Sequence, residues 1–276
     1  MKKSILITGA SSGIGKATAI LFHQKGWNVI ATMRNPESEK ELNNLDNVLV
    51  NRLDVTDVES IRKAVESGIS RFGQIDVLLN NAGYGAYGPL EATPIEKIER
   101  QFGTNVIGLL NTTKAVLAHF RKNKSGVIIN ITSVGGKITF PLGTLYHATK
   151  FAVEGLSEAL HYEMEAIGVK VKVVEPGMVA TDFGGRSFDF NNDERITEYQ
   201  DLVKGVFAGF GASQESASTP SAIAEVIYQS ATDEGGQLRF PAGQDAYLLL
   251  GKRKSEEDET FLRDIKNQFS IHQAAH

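Results

Sequence analysis

The stretch Ile5-Leu6-Ile7-Thr8-Gly9-Ala10-Ser11-Ser12-Gly13-Ile14-Gly15 decides the fold that this sequence predicts. Its first three residues form a short apolar run, which is typical of a strand buried on both faces. Three glycines follow in the spacing Gly-x3-Gly-x-Gly, and helical periodicity begins directly after them. Strand, glycine-rich turn and helix is the arrangement in which backbone N–H groups at a helix N-terminus hold a phosphate. The alternative is a tight turn without a ligand.

Six further apolar runs continue this pattern along the chain, at residues 29–32, 48–50, 75–79, 127–131, 169–174 and 238–240. Helical periodicity or glycine-containing turns separate them, as expected for a parallel sheet with helices on both faces. Two capping boxes, at residues 56–59 and 93–96, predict where two of the helices begin. We expect a single α/β domain, doubly wound around a mainly parallel sheet of the Rossmann type.

The composition of the chain excludes several classes of protein. Its 276 residues are 41% hydrophobic and 22% charged, as is usual for a globular protein. A formal net charge of −4 gives no indication of a nucleic-acid partner. Cysteine is absent, which excludes disulfides and thiolate metal sites, and we expect no metal. Neither a signal peptide nor a membrane span is predicted, so we expect a soluble cytoplasmic protein.

The stretch Tyr146-His147-Ala148-Thr149-Lys150 carries the candidate chemistry. On a helix, a spacing of four places Tyr146 and Lys150 on one face. A free phenol has a pKa of about 10. An ammonium at about 4 Å, with an effective dielectric of about 20, favours the phenolate by roughly 4 kcal/mol before desolvation. That difference is worth about 3 pKa units, so such a pair can give or take a proton near pH 7. The alternative is an exposed surface pair.

Two further polar residues belong to this candidate chemistry. Ser133 stands just past the carboxyl end of the fifth predicted strand, where open α/β sheets place their ligands. From there it can hydrogen-bond the oxygen on which the tyrosine acts. Asn105 lies inside a predicted helical region, where an isolated asparagine is more often a packing or hydrogen-bonding residue than a catalytic one.

The residue after the second predicted strand concerns the choice of cofactor. NAD-binding proteins usually carry an acid near this place, which bonds the ribose hydroxyls of the adenosine. Here Met33 and Arg34 occupy it. An arginine suits a 2′-phosphate, which predicts NADP(H) rather than NAD. The alternative is a solvated arginine in a loop.

Five elements, in matching order and spacing, make the chain resemble the short-chain dehydrogenase/reductase family. They are the cofactor loop at residues 8–15, Asn-Asn-Ala-Gly at 80–83, Ser133, Tyr-x3-Lys at 146–150, and Pro-Gly at 176–177 followed by Thr181. The likeness runs from about Ser4 to Phe240. The sequences around Arg34, after Lys150 and before Gly177 look most like members that act on hydroxysteroids, retinoids and similar apolar carbonyls.

The resemblance implies reversible hydride transfer between NADP(H) and a small-molecule carbonyl or secondary alcohol. Tyr146 would give the proton and Lys150 would lower its pKa and hold the nicotinamide ribose. Ser133 would orient the substrate oxygen, and Asn105 would hold a water that resupplies the proton. A homodimer or homotetramer is also implied. A non-enzymatic NADP-binding sensor or scaffold on the same fold is the alternative.

By the same resemblance, the cofactor contacts would come from loops at one edge of the sheet. The residues are Gly9, Ser11, Ser12, Gly13, Ile14, Gly15, Arg34, Asp54, Val55, Asn81, Ala82, Gly83, Tyr146, Lys150, Pro176, Gly177, Val179 and Thr181.

Residues 182–219 differ in character from the rest of the chain. They contain glycines, serines and an apolar repeat at helical spacing, and long inserts of this kind beside a site are often lids. We expect one oxidoreductase domain over residues 1–251 that includes this lid. Residues 252–276 are charged and predict a surface helix or a frayed tail.

The segments expected around the nicotinamide are apolar. They contain Tyr84, Tyr87, Val134, Phe140, Pro141 and Leu142 and, in the lid, Phe183, Phe188, Phe190, Tyr199, Val203, Phe207 and Phe210. Each unpaired hydroxyl of a polar substrate would cost about 1–3 kcal/mol in such surroundings. We therefore expect a bulky apolar substrate. The alternative is that half of these aromatic residues only form the core of the lid.

Overall fold

A computed structural model of the chain describes residues 2–181, 187–213 and 217–271. Its strands are β1 (Ser4–Thr8), β2 (Asn28–Met33), β3 (Val48–Arg52), β4 (Val77–Asn80), β5 (Gly85–Tyr87), β6 (Val127–Ile131), β7 (Lys170–Pro176), β8 (Phe188–Phe190) and β9 (Arg239–Ala242). Seven of them form one parallel sheet in the order β3-β2-β1-β4-β6-β7-β9. The strands β5 and β8 pair separately and in parallel. The sequence did not predict them, because three-residue strands carry little periodicity.

Helices cover both faces of the large sheet. They are α1 (Gly13–Gln24), α2 (Val58–Phe72), α3 (Ile95–Phe102), α4 (Gly108–Asn123), α5 (Thr144–Glu165), α6 (Gln200–Ser213), α7 (Pro220–Thr232), α8 (Gln244–Ser255) and α9 (Asp258–Gln268). A π-helical turn, Gly103–Ile107, joins α3 to α4. None of the described helices is long and apolar enough to cross a membrane.

Strand β1 shows why the sheet is buried on both sides. Ile5 and Ile7 share one core cluster with Phe22 of α1, whereas Leu6, between them, shares the opposite cluster with Phe120 of α4. Complete burial of an aliphatic side chain of this size stabilises the fold by about 1.5–3 kcal/mol. The continuous apolar run therefore has a partner on either face. The predicted fold, a single-domain doubly wound parallel sheet of the Rossmann type, is confirmed.

The start of α2 differs from the predicted capping box. Asp57 is the N-cap, and its Oδ1 accepts hydrogen bonds from the N–H groups of Glu59 and Ser60 at 3.1 Å each. The Thr56 hydroxyl donates instead to Asp54 Oδ1 at 2.7 Å. The prediction that Thr56 caps the helix is wrong, because an ionised carboxylate is the stronger acceptor at a helix N-terminus.

The start of α3 also differs from its predicted capping box. The helix begins at Ile95 with Pro94 at the N-cap. The Thr93 hydroxyl donates to the carbonyl of Pro89 at 3.0 Å and so bonds to the preceding turn. Its assignment as a helix cap is wrong for that reason.

The chain beyond the predicted boundary at residue 251 is helical and packs against α6, which lies in the predicted lid. Helix α8 continues through that boundary to Ser255. Helix α9 buries Phe261, and Phe269 just after it is 2% exposed; both share one core cluster with Val206 of α6. Residues 252–271 are therefore not a frayed tail, because this apolar face has a partner. Phe183 of the predicted lid lies outside the described residues.

Candidate active site

The strand order reverses between β1 and β4, which is where open α/β sheets leave a crevice at their carboxyl ends. The Thr8 hydroxyl ties the two loops there together. It donates to the carbonyl of Leu79 at 3.2 Å and accepts from the N–H groups of Asn81 and Ala82 at 3.0 Å each. The Asn81 amide donates in turn to the carbonyls of Thr8 at 2.9 Å and Gly9 at 3.1 Å. The loop after β1 is thereby held against the loop after β4.

The three glycines after β1 leave a cradle that side chains would fill. Gly9 and Gly13 have φ of +70° and +54°, in the left-handed region that favours glycine. A Cβ at Gly15 would overlap the carbonyl oxygen of Gly9. Ser12 is the N-cap of α1 but makes no capping bond, and the first turn contains no acid. The N–H groups of this helix end therefore remain available to an anion, so the site fits a dinucleotide phosphate.

The other predicted cofactor residues lie at the same edge of the sheet. Ser11 is exposed and Ile14 is half-buried within the glycine loop. After β3, Asp54 accepts the N–H of Thr56 at 2.9 Å, and Val55 is buried. Gly83 follows β4, and a Cβ there would lie 3.1 Å from Asn105 Oδ1. The structure brings these loops together.

Arg34 is exposed just past the end of β2. The nearby acid Glu39 is buried. Its Oε1 accepts from the ammonium of Lys16 at 3.2 Å and from the N–H groups of Glu41 and Leu42 at 2.9 and 3.1 Å. Because that carboxylate is already engaged, the exposed charged residues at 34–39 are Arg34 and Glu37.

The loop after β7 meets the glycine loop from the other side. A Cβ at Gly13 would lie 3.3 Å from Thr181 Cγ2. The N–H of Gly177, directly after Pro176, donates to the carbonyl of Ala242 at 3.1 Å. Val179 forms a parallel bridge with Ser218. These contacts place Pro176, Gly177, Val179 and Thr181 beside the phosphate cradle.

Asp245 is a residue of this site that sequence reasoning missed. It lies in the first turn of α8, and its Oδ2 accepts the N–H of Met178 at 2.6 Å. A Cβ at Gly177 would overlap the same carboxylate oxygen. Its Oδ1 is buried without a hydrogen-bond partner in the described part of the chain. No local signal marks a contact across so long a stretch of sequence.

Ser133, Tyr146 and Lys150 come together at the end of β6 and the start of α5. The Ser133 hydroxyl hydrogen-bonds to the Tyr146 phenol and also accepts the N–H of Gly135 at 3.0 Å. Lys150 Nζ lies 5.8 Å from the centroid of the Tyr146 ring. It donates to the carbonyl of Ile131 at 2.9 Å. The arrangement has a buried phenol between a hydroxyl and an ammonium.

Burial has the largest effect on the pKa values of both Tyr146 and Lys150. Burial raises the pKa of Tyr146 to about 12, and the hydrogen bond with Ser133 lowers it only in part. Burial lowers the pKa of Lys150 to about 8, against the charge of Glu154, which raises it. The expected lowering of the Tyr146 pKa by Lys150 is not found, because burial of the phenol has the larger effect. Desolvation of the phenolate outweighs an ammonium directed at a carbonyl.

Asn105 lies in the π-helical turn between α3 and α4, a geometry frequent at functional sites. Its Oδ1 accepts the N–H of Tyr84 at 3.1 Å, and its Nδ2 donates to the carbonyl of Tyr84 at 2.9 Å and to Thr149 Oγ1 at 3.1 Å. Asn105 thus ties the loop after β4 to the helix of Tyr146. A water would have to use the second lone pair of Oδ1.

Aromatic side chains cover the Tyr146 ring. Tyr87 packs on it with ring centroids 5.4 Å apart. Next to Tyr87 lies a cavity of about 10 Å³, lined by Tyr87, Leu142, Phe188, Phe190, Val206, Phe207 and Phe210. That volume holds about one water. Of the other predicted lid residues, Val203 belongs to a core cluster and Tyr199 donates to Glu91 at 3.1 Å.

A second, larger cavity of about 580 Å³ lies away from this chemistry. It is a groove between the outer sides of α1 and α7, lined by residues that include Lys16, Glu41 and Glu225. It meets the predicted site only at Gly13. The small cavity is the nearer of the two to the candidate chemistry, because Tyr87, which lines it, packs on the Tyr146 ring. Among the described residues, no group of acids and histidines is placed to hold a metal ion.

The sequence model of the family described as short chain dehydrogenase matches residues 3–192. The chain belongs to this family. A short-chain dehydrogenase from Streptomyces avermitilis has a solved structure that is 33% identical, with a TM-score of 0.82, covering 98% of this chain and 96% of that one. The structure of ElxO with NADP bound is 30% identical, with a TM-score of 0.73, covering 93% and 100%.

Two relatives of this short-chain dehydrogenase are named as an oxidoreductase and a reductase. An uncharacterized oxidoreductase of Schizosaccharomyces pombe is 47% identical over 239 residues, covering 87% of this chain and 100% of the relative. The 3-ketodihydrosphingosine reductase of Bacteroides thetaiotaomicron is 38% identical over 255 residues, covering 91% of each. The chain is thus an oxidoreductase of its family with NADP-bound structural neighbours. The predicted closeness to hydroxysteroid- and retinoid-acting members stays a prediction, since these names do not show it.

Proposed function

We propose that this protein catalyses reversible hydride transfer between NADP(H) and a carbonyl or secondary alcohol. The observation that carries the proposal is the contact of Ser133 with the Tyr146 phenol, one helical turn from Lys150 and beside a glycine cradle. When bound, the cofactor supplies the hydride to the carbonyl carbon. The carbonyl oxygen takes its proton from Tyr146, which becomes a phenolate.

The residues around the phenol have separate tasks in this proposal. Tyr146 is protonated at neutral pH, as a proton donor must be, because burial raises its pKa to about 12. Ser133 hydrogen-bonds the substrate oxygen and fixes its position. Lys150 stabilises the phenolate that forms and, as in the family, holds the nicotinamide ribose. Asn105 holds the water through which the proton is resupplied.

The proposed cofactor is NADP(H) rather than NAD(H). Arg34 is exposed beside β2, whereas the nearby Glu39 is engaged by Lys16 and by backbone N–H groups. An exposed guanidinium attracts a 2′-phosphate. Of the two acids among residues 34–39, only Glu37 is exposed. ElxO, a structural neighbour, was solved with NADP.

The affinities for NADPH and NADH, measured by fluorescence titration, test this choice. We expect a clear preference for NADPH in the unmodified protein. Replacing Met33 by Asp together with Arg34→Ala should erase or reverse it. Equal affinity of the unmodified protein for both cofactors would refute the assignment.

The proposed substrate is a bulky apolar carbonyl compound. The cavity beside Tyr87 is lined by five aromatic rings and two aliphatic side chains. An apolar molecule gains roughly 25 cal/mol for each Å² that it buries there. A relative that is 38% identical is named as a reductase of 3-ketodihydrosphingosine. NADPH oxidation followed with a panel of ketones should give a much higher kcat/KM for bulky apolar members than for small polar ones. A panel in which short polar carbonyls rank first would overturn this assignment.

We further propose a homodimer or homotetramer in the cytoplasm. Ile107 at the α3–α4 junction and Phe151 and Tyr162 on α5 are 52%, 44% and 66% exposed. Burying them against a second copy would remove apolar surface from water. Light scattering at micromolar concentration should report more than one subunit, and a monomer would contradict the proposal.

A further inference from the structure

His147 directly follows the proposed proton donor in the chain and is 3% exposed. Its Nδ1 lies 2.9 Å from the carbonyl oxygen of Gly135, and its Nε2 lies 2.9 Å from the backbone nitrogen of Phe140. A carbonyl only accepts and a backbone N–H only donates. Nδ1 must therefore carry the proton and Nε2 must accept, so the two contacts define one neutral tautomer.

The surroundings of the His147 ring allow this single orientation. A Cβ at Gly135 would lie 2.8 Å from Nδ1, and a Cβ at Gly143 would lie 2.5 Å from Cδ2. The rings of Tyr146, Phe140 and Tyr87 enclose it, with centroids 5.5, 5.7 and 6.1 Å away. The glycines therefore make room for an imidazole that links both ends of the segment before α5.

That segment carries part of the substrate cavity. Leu142 lines the cavity and has φ of 63°, a strained conformation that costs on the order of 1–3 kcal/mol for a non-glycine residue. The turn is closed by the N–H of Gly143, which donates to the carbonyl of Phe140 at 3.3 Å. The Leu142 carbonyl accepts the N–H of Gly88 at 2.8 Å. Such strain persists only where neighbouring contacts hold it.

The other end of the segment carries Ser133. The N–H of Gly135 donates to Ser133 Oγ at 3.0 Å, while the carbonyl of Gly135 accepts from His147. The same residue, Gly135, therefore connects the imidazole to the hydroxyl that contacts Tyr146.

We propose that His147 is a positioning residue, whose neutral imidazole holds the Ser133 turn and the strained wall at Phe140 and Leu142 against Tyr146. Its action on turnover rests on the proposed carbonyl reduction. Protonation of Nε2 would set its N–H against the N–H of Phe140, so that two donors face each other. The wall is then released, and affinity for the substrate falls while the glycine cradle after β1 is unaffected.

Among the described groups that face the His147 ring, none other changes its charge in acid. The titratable contacts among the described residues are Tyr87 of β5 and Tyr146 of α5, and burial raises the pKa of both, so both stay neutral in acid. Burial lowers the pKa of His147, against the hydrogen bond to Gly135, which raises it. The wall at Phe140 and Leu142 is therefore released only at pH values below the usual pKa of histidine.

Two substitutions separate the two hydrogen bonds. In His147→Gln the amide oxygen stands near the place of Nε2 and can accept from Phe140, whereas in His147→Asn the amide nitrogen stands near Nδ1 and can donate only to Gly135. We expect KM for an apolar ketone to rise about tenfold in His147→Asn and far less in His147→Gln, with the NADPH dissociation constant nearly unchanged. The rise of KM in acid should be absent from His147→Gln.

His161→Gln, on the same helix and away from the wall, is the control. Equal KM values in the Asn and Gln variants would overturn the proposal.

A measurement without turnover keeps the proposal separate from the proposed function. Nitrogen-15 NMR of the histidine rings should show one Nδ1–H tautomer that disappears in His147→Gln. Hydrogen exchange of the Phe140 amide should be faster in His147→Asn than in His147→Gln. Both results can be obtained on a protein that reduces none of the ketones tested, in which case only the proposed function fails. An Nε2–H tautomer, or equal exchange at Phe140 in the two variants, would overturn the role of His147.

Discussion

At the scale of single residues, burial decides how the groups near Tyr146 ionise. The Tyr146 phenol and the Lys150 ammonium are both taken out of water, which raises the pKa of the first to about 12 and lowers that of the second to about 8. Each shift favours the neutral form. Burial therefore keeps the proton on the Tyr146 phenol at neutral pH.

The first prediction concerns this phenol. Tyr146→Phe should abolish turnover, because it removes the proposed proton donor and keeps the ring that packs against Tyr87. NADPH binding, measured by fluorescence, should remain within about twofold, since no cofactor cradle residue is changed. Lys150→Ala should impair both. Substantial turnover by the Tyr146→Phe protein would show that another group gives the proton.

The second prediction concerns Glu175, which is 2% exposed in β7. Burial, followed by the charge of Glu154, raises its pKa from 4.5 to about 7. A raised pKa means that the native state binds this proton more tightly than the unfolded state. The free energy of unfolding that it contributes is present in acid and is lost as the pH rises from about 4.5 to about 7.

Glu175→Gln keeps this position neutral at every pH. We expect melting temperatures similar to those of the unmodified protein at pH 5, and a variant that is more stable by about 1–3 kcal/mol at pH 8. Calorimetry at the two pH values measures the difference. Glu158→Gln is the control of opposite sign, because Arg239 lowers the pKa of that exposed carboxyl. A Glu175→Gln protein that is less stable than the unmodified one at pH 8 would contradict the assignment.

At the scale of elements, the site is built where loops from different parts of the chain are held by helix ends. The glycine loop depends on the N-terminus of α1, and the loop after β7 depends on the first turn of α8. The π-helical turn aims Asn105 at Thr149, next to the catalytic side of α5. Each of these three contacts holds a backbone segment in place rather than a single side chain.

The third prediction follows from the contact of α8 with the loop after β7. Asp245→Ala leaves the N–H of Met178 without its acceptor, so the loop beside the phosphate cradle should loosen. We expect the NADPH dissociation constant to rise about five- to tenfold, while Asp245→Asn, which can still accept, should change it much less. Gln244→Ala, an exposed neighbour in the same turn, is the control. Unchanged NADPH affinity in Asp245→Ala would show that this contact does not support the loop.

At the scale of the whole molecule, the last helix closes the substrate side. Phe269 lies against two glycines of α6, where a Cβ at Gly209 would lie 2.6 Å from its ring and a Cβ at Gly205 would lie 2.8 Å from its carbonyl oxygen. Its ring also contacts Phe210 and Phe140, with centroids 5.2 and 6.0 Å apart. Helix α6 of the predicted lid therefore packs against the end of the C-terminal helix.

The fourth prediction is that Phe269 sets the position of α6. Phe269→Ala should lower the free energy of unfolding by about 3–5 kcal/mol, as for other buried aromatic residues. It should also raise KM for bulky ketones while leaving NADPH affinity unchanged, because α6 lines the cavity at Val206 and Phe210. Leu262→Ala, half-exposed on the same helix, is the control. A destabilised variant with unaltered KM for bulky ketones would show that α9 does not shape the pocket.

The sequence by itself determined the layered fold. Runs such as residues 5–7 and 127–131 are apolar almost throughout, and only a strand covered on both faces buries every member of such a run. The glycine spacing marked the cradle because φ angles of +70° and +54° belong to local backbone geometry. The spacing of four likewise placed Lys150 beside the Tyr146 ring.

Only the tertiary structure decided how these residues are held and how they ionise. The bond from Met178 to Asp245 and the enclosure of His147 join residues from separate elements, so no local pattern shows them. The pKa of Tyr146 depends on how completely the assembled chain excludes water, and this desolvation exceeded the charge effect expected from spacing alone. Neighbouring residues determine the local backbone geometry. Hydrogen bonds between distant residues, and the desolvation of a side chain, arise only once distant segments have packed together.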